Sequence, residues 1–342
     1  MPIRLFALYT RHRCPLGSHS LMIARVRKAF VLGAGLGTRL RPLTNVLPKP
    51  LLPIFGKPLI TFALDHLRQI GIEKFWINTH HLPEEFSAVF PANEYNGAHL
   101  ELVFEQNLLE TGGGMKNLEQ RIGDEVFIVY SGDILTDLPV DRLVDEHFSK
   151  QNDVTLALRS TGLSTSISWR RESGRVVDLL GALGSGKRGE YDFAGISIWN
   201  SSVFSRIPKA TKISFVPIIV EWLKSGGRVG GVALEENRWF NIGSRAEYLR
   251  VHQIISYERW SPDYVCDANW PIQVERSANI SPKSRIDGGS YVGARCSVEA
   301  DVLLENSILF PGSLISHGAT LRSCIVGGVK VEGGTYQQTD FV

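Results

Sequence analysis

The sequence predicts an α/β protein: a doubly wound, Rossmann-like mixed sheet followed by a left-handed parallel β-helix. Three features carry this reading. Short apolar runs alternate with amphipathic stretches between residues 28 and 225. A glycine-rich turn, 32-LGAGLG-37, closes the first of those runs. Beyond about residue 270, apolar residues recur every six positions, with Gly, Ser and Ala between them.

Taken in order, Lys28–Leu32 (KAFVL) reads as a buried parallel strand, since it is a short apolar run ending in glycine. Pro58–Ile70 has apolar residues at helical spacing and stops at Gly71. Lys74–Asn78 (KFWIN) reads as a strand, Glu84–Phe90 as a helix and Leu100–Phe104 as a strand. Gly114–Arg121 reads as a helix and Val126–Tyr130 (VFIVY) as a strand. Further strands are expected at Val154–Leu158, Val176–Leu179 and Gly195–Trp199, and a helix over Phe215–Ser225. Strands alternating with helices are the pattern of a doubly wound sheet. In the C-terminal part, Ile280, Ile286, Val292 and Val298 keep a six-residue period, which resumes in a second phase at Leu303, Leu309, Ile315 and Leu321. Such a repeat marks a parallel β-helix with one strand on each side of a triangular coil.

Bulk properties narrow the function. A chain of 342 residues exceeds the roughly 250 that one core serves, so two domains are expected. With 43% hydrophobic and 21% charged residues, the composition is that of an ordinary globular protein. A net charge of +2 gives no basic footprint and disfavours nucleic acid as a partner. No apolar run approaches the roughly 20 residues of a spanning helix, so no membrane is expected. Cys14, Cys266, Cys296 and Cys324 are scattered without a C-x-x-C, which predicts reduced thiols in the cytoplasm rather than disulfides or a zinc site. Residues 1–25 are Arg-rich but lack the apolar core and cleavage site of a targeting peptide. They are read as a disordered extension, with Met22 as the true start.

The glycine turn leads into Arg39, Arg41 and Lys49, and no acid occurs before Asp65. A flexible turn between strand and helix suits phosphate, because backbone can approach closely and amide N–H groups point at the anion. The dinucleotide fingerprint fails, since Thr38 stands where its third glycine belongs and no acid follows about 20 residues on. The G-K-[ST] of a phosphate-loop ATPase is absent as well. What is present is G-x-G-T-R-x-R-P-L-T followed by P-K-P-L-L-P. Then come EQNLLETGGGMKN at 105–117, Ser131-Gly132-Asp133 after VFIVY, EYDFAGISIWN at 190–200 and NRWFNIGSRAEYL at 237–249. In this order the segments resemble the sugar-1-phosphate nucleotidylyltransferases, or NDP-sugar pyrophosphorylases, from about residue 26 to the end. The pattern is most similar to mannose-1-phosphate guanylyltransferases carrying a hexapeptide coil. Muramate-type uridylyltransferases are close through ETGGGMKN.

The resemblance implies a nucleotidylyltransferase domain over 26–258 and a β-helix over 270–335. It implies that a nucleoside triphosphate and a sugar 1-phosphate give an NDP-sugar and pyrophosphate by in-line attack at the α-phosphorus, with no covalent intermediate. Both substrates are polyanions, so an acid-free loop avoids repelling them. Arg39 offers a planar fork of donors, and Lys49 a compact cation for the transferring phosphoryl group. Asp133, at the end of VFIVY, is placed to hold Mg2+. Catalysis is thus expected from Arg39, Lys49 and Asp133, and metal binding from Asp133 and Asn241. Asn241 stands where the family has an aspartate, so the second metal-binding charge is missing. The nucleotide is expected on Gly33, Ala34, Gly35, Gly37, Thr38, Arg39, Gln106, Gly112 and Gly113, and the sugar phosphate on Glu190, Gly195 and Lys187. Asp137 is read as a turn or capping residue, and His80-His81 as a loop before a helix. His317, the one histidine in the repeat that could serve an acyltransferase, is placed at a solvent-facing corner. Two alternatives stay open: a uridylyltransferase acting on an N-acetylmuramate- or hexose-type 1-phosphate, and a non-catalytic sugar-nucleotide-sensing subunit, which Asn241 favours. The coil is expected to support a homo-oligomer.

Overall fold

The computed structural model describes residues 25–162, 164, 166–184 and 189–342. Lys187 and nearly all of the 1–25 extension therefore lie outside the described residues.

Ten strands of the described residues form one mixed sheet. In chain order they are β1 (Lys28–Leu32), β2 (Lys74–Thr79), β3 (Glu94–Tyr95), β4 (Ala98–Phe104), β5 (Phe127–Ser131), β6 (Val154–Arg159), β7 (Ile167–Arg170), β8 (Arg175–Leu179), β9 (Asp192–Trp199) and β10 (Val229–Ala233). Across the sheet the order is β7-β8-β10-β6-β9-β5-β1-β2-β4-β3. β1 pairs in parallel with β2 on one side and β5 on the other, while β9 runs antiparallel to both β5 and β6. Helices α1 (Leu59–Gln69), α2 (Pro83–Val89), α3 (Glu110–Asn117), α4 (Glu119–Ile122), α5 (Val140–Ser149) and α6 (Phe215–Lys224) connect the strands, and α7 (Arg245–Glu258) leads toward the coil. Buried side chains on the two sheet faces form separate clusters. One is built around Val31, Phe62 and Ile77, the other around Phe30, Trp76 and Val129. Adjacent residues of β1 thus feed opposite cores, as a strand covered on both faces requires.

The strands and helices expected from the sequence are present, with ends shifted by a few residues. Among the elements given above, β3, β7, β10, α5 and α7 were not expected. In β10 (VGGVA) the glycines obscure the strand pattern, yet Asn152 lies where a side chain on Gly230 would be. The helix expected from Gly114 begins earlier, at Glu110, so Gly112 and Gly113 also lie inside α3. A Cβ on Gly113 would sit 2.4 Å from the Thr211 carbonyl oxygen, so the helix can lie against that backbone only without a side chain there.

After α7, parallel strands stack in three four-stranded sheets, the sides of a triangular parallel β-helix running from Asn279 to Phe341. The interior repeat differs from the expectation at one point. Register places Ile286 beside Leu304 and Val292 beside Leu309. Leu304, not Leu303, is fully buried, so the six-residue period runs on to Leu304 and slips at the next corner. There Asn306 takes a left-handed conformation at φ 48°. Cys296 and Cys324 are free and buried in this coil, and burial pushes the Cys296 thiol up to about 11. No helix among the described residues is long and apolar enough to cross a membrane.

Candidate active site

Chain order reverses between β1 and β5: the connection after β1 leads to β2 on one side, and the connection after β4 returns to β5 on the other. In an open α/β sheet a ligand crevice forms at such a point, outside the carboxyl ends of the strands. Here the two loops touch. The Gly132 N–H donates to the Leu32 carbonyl at 3.0 Å, and a Cβ on Gly132 would lie 2.5 Å from that oxygen. Only glycine permits this approach.

Two polar residues from neighbouring strands hold the glycine loop. Asn78, in β2, accepts from the Gly33 N–H at 2.8 Å and the Ala34 N–H at 3.4 Å through Oδ1. Its Nδ2 donates to Glu105 Oε1 at 2.8 Å, while Glu105 Oε2 accepts from the Leu109 N–H at 3.0 Å, just before α3. Glu105 is only 2% exposed. Neither role has a signal in the sequence, since each exists only once β1, β2 and β4 stand side by side. Thr44 Oγ1 donates to the Gly37 carbonyl at 2.9 Å, and His81 Nε2 lies 2.6 Å from the Thr44 carbonyl. His80 Nδ1 likewise contacts the Glu105 carbonyl at 2.8 Å. Both histidines thus bind backbone in the loop before α2.

Lys49, on a short 3-10 turn, points back to the switch point, where its Nζ lies 2.5 Å from Asp133 Oδ2. The Lys49 side chain is 9% exposed and that of Asp133 35%. The next strand pair, Ile134–Thr136 with Trp239–Asn241, sets Asn241 opposite Ile134. The Ile242 N–H donates to the Asp133 carbonyl at 3.1 Å. Asn241 Oδ1 is buried and has no hydrogen-bond partner among the described residues. A Cβ on Gly243 would lie 3.0 Å from Arg39 Nη2 and 3.3 Å from Asn241 Oδ1, so guanidinium and carboxamide are neighbours. Arg39, Lys49, Asp133 and Asn241 thus converge, although 202 positions separate Arg39 from Asn241 (241 − 39).

Asp133 supplies a carboxylate and Asn241 an unpartnered buried carbonyl oxygen, both hard donors of the kind that suits a cation such as Mg2+. No group of three or more His, Cys, Asp or Glu able to hold a metal occurs among the described residues. Any cation here would therefore take most of its remaining ligands from phosphate or water.

The other expected contacts are distributed unevenly. Gly35, Thr38, Arg39 and Gln106 are exposed, and nothing lies within 4 Å of a Cβ on Gly35. Gly195 has φ 88° at a bulge in β9, and a Cβ on it would sit 3.0 Å from Ile134 Cδ1 and 3.2 Å from Ser131 Oγ, beside the Asp133 loop. Glu190 is exposed and lies two residues before β9, on the stretch that follows the undescribed segment at 185–188. Gly112 and Gly113 are buried in α3, and the Gly113 N–H is already donated to the Ile213 carbonyl at 3.0 Å. Asp137 accepts from the Arg238 N–H at 2.7 Å and from Trp260 Nε1 at 3.3 Å, the turn role expected of it. His317 is exposed at a coil corner, 3.7 Å from Asp301.

Comparison with known proteins gives an independent view. Residues 28–258 match the family described as nucleotidyl transferase. The chain is 29% identical over 299 residues to the mannose-1-phosphate guanylyltransferase of Mycobacterium tuberculosis, covering 86% of this chain and 82% of that protein. It is 32% identical over 233 residues to the N-acetylmuramate alpha-1-phosphate uridylyltransferase of Caulobacter vibrioides, covering 63% of this chain and 91% of that protein. Among solved structures, the inositol-1-phosphate CTP transferase from T. maritima superposes with a TM-score of 0.55 at 19% identity. It covers 65% of this chain and 91% of that one.

Proposed function

This chain belongs to the nucleotidyl transferase family, and we propose that it is a mannose-1-phosphate guanylyltransferase using Mg2+. Membership of this family makes the protein an enzyme, a sugar-1-phosphate nucleotidylyltransferase that works with a divalent cation. The observation supporting the proposed site is the contact of Lys49 with Asp133 at the switch point, beside the unpartnered oxygen of Asn241.

On this reading the triphosphate enters along the Gly33–Thr38 turn, where exposed backbone precedes Arg39. The guanidinium binds phosphate oxygens as a fork, and Lys49 turns from Asp133 to the α-phosphoryl group as charge builds on it. Asp133 and Asn241 would hold the cation, which when bound neutralises phosphate charge and orients the leaving pyrophosphate. Gly195, beside Ser131, would border the sugar pocket, with Glu190 and Lys187 at its approach. Gln106 faces solvent next to the base side of the crevice and would read a base edge with its amide. Gly112 and Gly113 would shape that wall through the packing of α3. Holding two anions in line accounts for the catalysis without a side-chain nucleophile.

The likeness to the mycobacterial guanylyltransferase over most of both chains favours mannose 1-phosphate and GTP. The likeness to the Caulobacter uridylyltransferase favours the second reading, a uridylyltransferase. We also propose the division into a 1–25 extension, a catalytic domain at 26–258 and a coil at 270–335, with cytoplasmic location and self-association through the coil. Pyrophosphate release measured over four nucleoside triphosphates and a panel of sugar 1-phosphates tests the assignment. GTP with mannose 1-phosphate should give the highest kcat/KM, and a preference for UTP would replace it with the second reading.

A further inference from the structure

The coil does more than follow the catalytic domain in sequence. Tyr291, Ile308, Phe310 and Ile325, on one side of it, belong to the same buried cluster as Phe55, Tyr248 and Trp270. Tyr291 meets Phe55 with ring centroids 5.7 Å apart. The surface they cover consists of two segments, each bound to the site. One is the Pro53–Pro58 hairpin, which begins four residues after Lys49 (53 − 49). The other is α7, which begins four residues after Asn241 (245 − 241). These two segments are also tied to each other, since Tyr248 Oη donates to the Pro53 carbonyl at 2.6 Å.

At the start of α7 the tie is electrostatic. Arg245 is the first residue of the helix, and its Nε donates to Asp340 Oδ1 at 2.7 Å. Its Nη2 also donates to the Ser323 carbonyl, on the coil turn before. The side chains are 26% and 10% exposed. A cation at a helix N-terminus opposes the helix dipole, so nothing within α7 favours arginine there. The carboxylate of the last coil strand supplies the compensation. Between Arg245 and the site stand only Ile242, Gly243 and Ser244. Ile242 is hydrogen-bonded to Asp133, and Gly243 is packed beside Arg39.

We propose that Asp340 and Arg245 are positioning residues for the metal-binding pair, the final coil fixing where Asn241 stands relative to Asp133. This rests on the reading of the site given above. The test is the Mg2+ dependence of pyrophosphate release by full-length Asp340→Asn, Asp340→Glu and the charge-exchanged pair Arg245→Asp with Asp340→Arg, each with its thermal melting curve. Disturbing a group that orients a metal ligand weakens metal binding by on the order of tenfold. The half-saturating Mg2+ concentration should therefore rise about tenfold in Asp340→Asn with kcat at saturating Mg2+ little changed. Asp340→Glu should recover it at least in part. Active wild-type enzyme with unchanged Mg2+ dependence in Asp340→Asn overturns the proposal alone, as does a shift that merely follows the melting temperature across the variants. Wild-type protein that releases no pyrophosphate with any substrate pair overturns the reading of the site, and the proposal with it. Should the charge-exchanged pair fail to fold, the two single variants still decide.

Discussion

Lys49 Nζ and Asp133 Oδ2 lie 2.5 Å apart at the point where the order of the sheet reverses. The pair is mutually neutral, and the lysine is almost wholly enclosed. A cation held this way is kept largely clear of solvent. On the proposed reading, an arriving phosphoryl group takes the place of the carboxylate as its partner, and Asp133 turns to the metal.

Replacing Lys49 with methionine keeps the length and volume of the stem but removes the charge. Turnover should fall by about 10² to 10³, the usual loss when one group stabilising transition-state charge is removed. Because Asp133 is partly open to water, its carboxylate stays solvated and the melting temperature should change little. Steady-state kinetics beside thermal denaturation checks both statements.

Asn241→Asp restores a negative charge next to Asp133. The half-saturating Mg2+ concentration should fall and turnover at limiting Mg2+ should rise. A variant with unaltered metal dependence would remove Asn241 from the ligand set.

Two glycines separate binding from folding. Gly113→Ala puts a methyl group 2.4 Å from the Thr211 carbonyl, which should cost about 1–3 kcal/mol of stability. A Cβ on Gly35 meets nothing within 4 Å, so the fold should accept Gly35→Val. It should raise KM for the nucleotide if the turn cradles phosphate. Urea denaturation and KM measured on both variants separate the two effects.

Acid should destabilise the protein through two histidines. Burial lowers His66 from 6.5 to about 3 and His252 to about 4, against the opposing pull of hydrogen bonds to backbone carbonyls. Unfolded, both bind a proton near 6.5; folded, they bind it only far below. Their contribution is complete above pH 6.5 and is lost as pH falls toward 4, at about 1.4 kcal/mol per unit for each histidine. The urea midpoint of wild type should drop over this window, and His66→Gln should drop less steeply.

Most of the scaffold was legible in the sequence. The expected roles of Arg39 and Lys49 came from an acid-free cationic stretch and that of Asp133 from the resemblance; the structure brings Lys49 and Asp133 into contact. The roles of Asn78 and Glu105 were not legible, since a polar residue at a strand end has no role until its neighbour in the sheet is known. Gly112 and Gly113 were left outside the expected helix because local propensity knows nothing of the Thr211 backbone lying against Gly113. The coil period was read correctly except at Leu303, where one left-handed corner at Asn306 moved the interior position to Leu304. α7 was not expected, although Ser244 and Glu247 form a capping signal at its start; its Arg245 finds a partner in Asp340, 95 residues away.

A crystal structure with nucleoside triphosphate and Mg2+ tests the central claim most directly. The account predicts phosphate oxygens within hydrogen-bonding distance of Arg39 and Lys49, the Lys49–Asp133 contact opened, and the cation on Asp133 and Asn241. Phosphates bound away from the Gly33–Thr38 turn, with Lys49 still paired to Asp133, would contradict it.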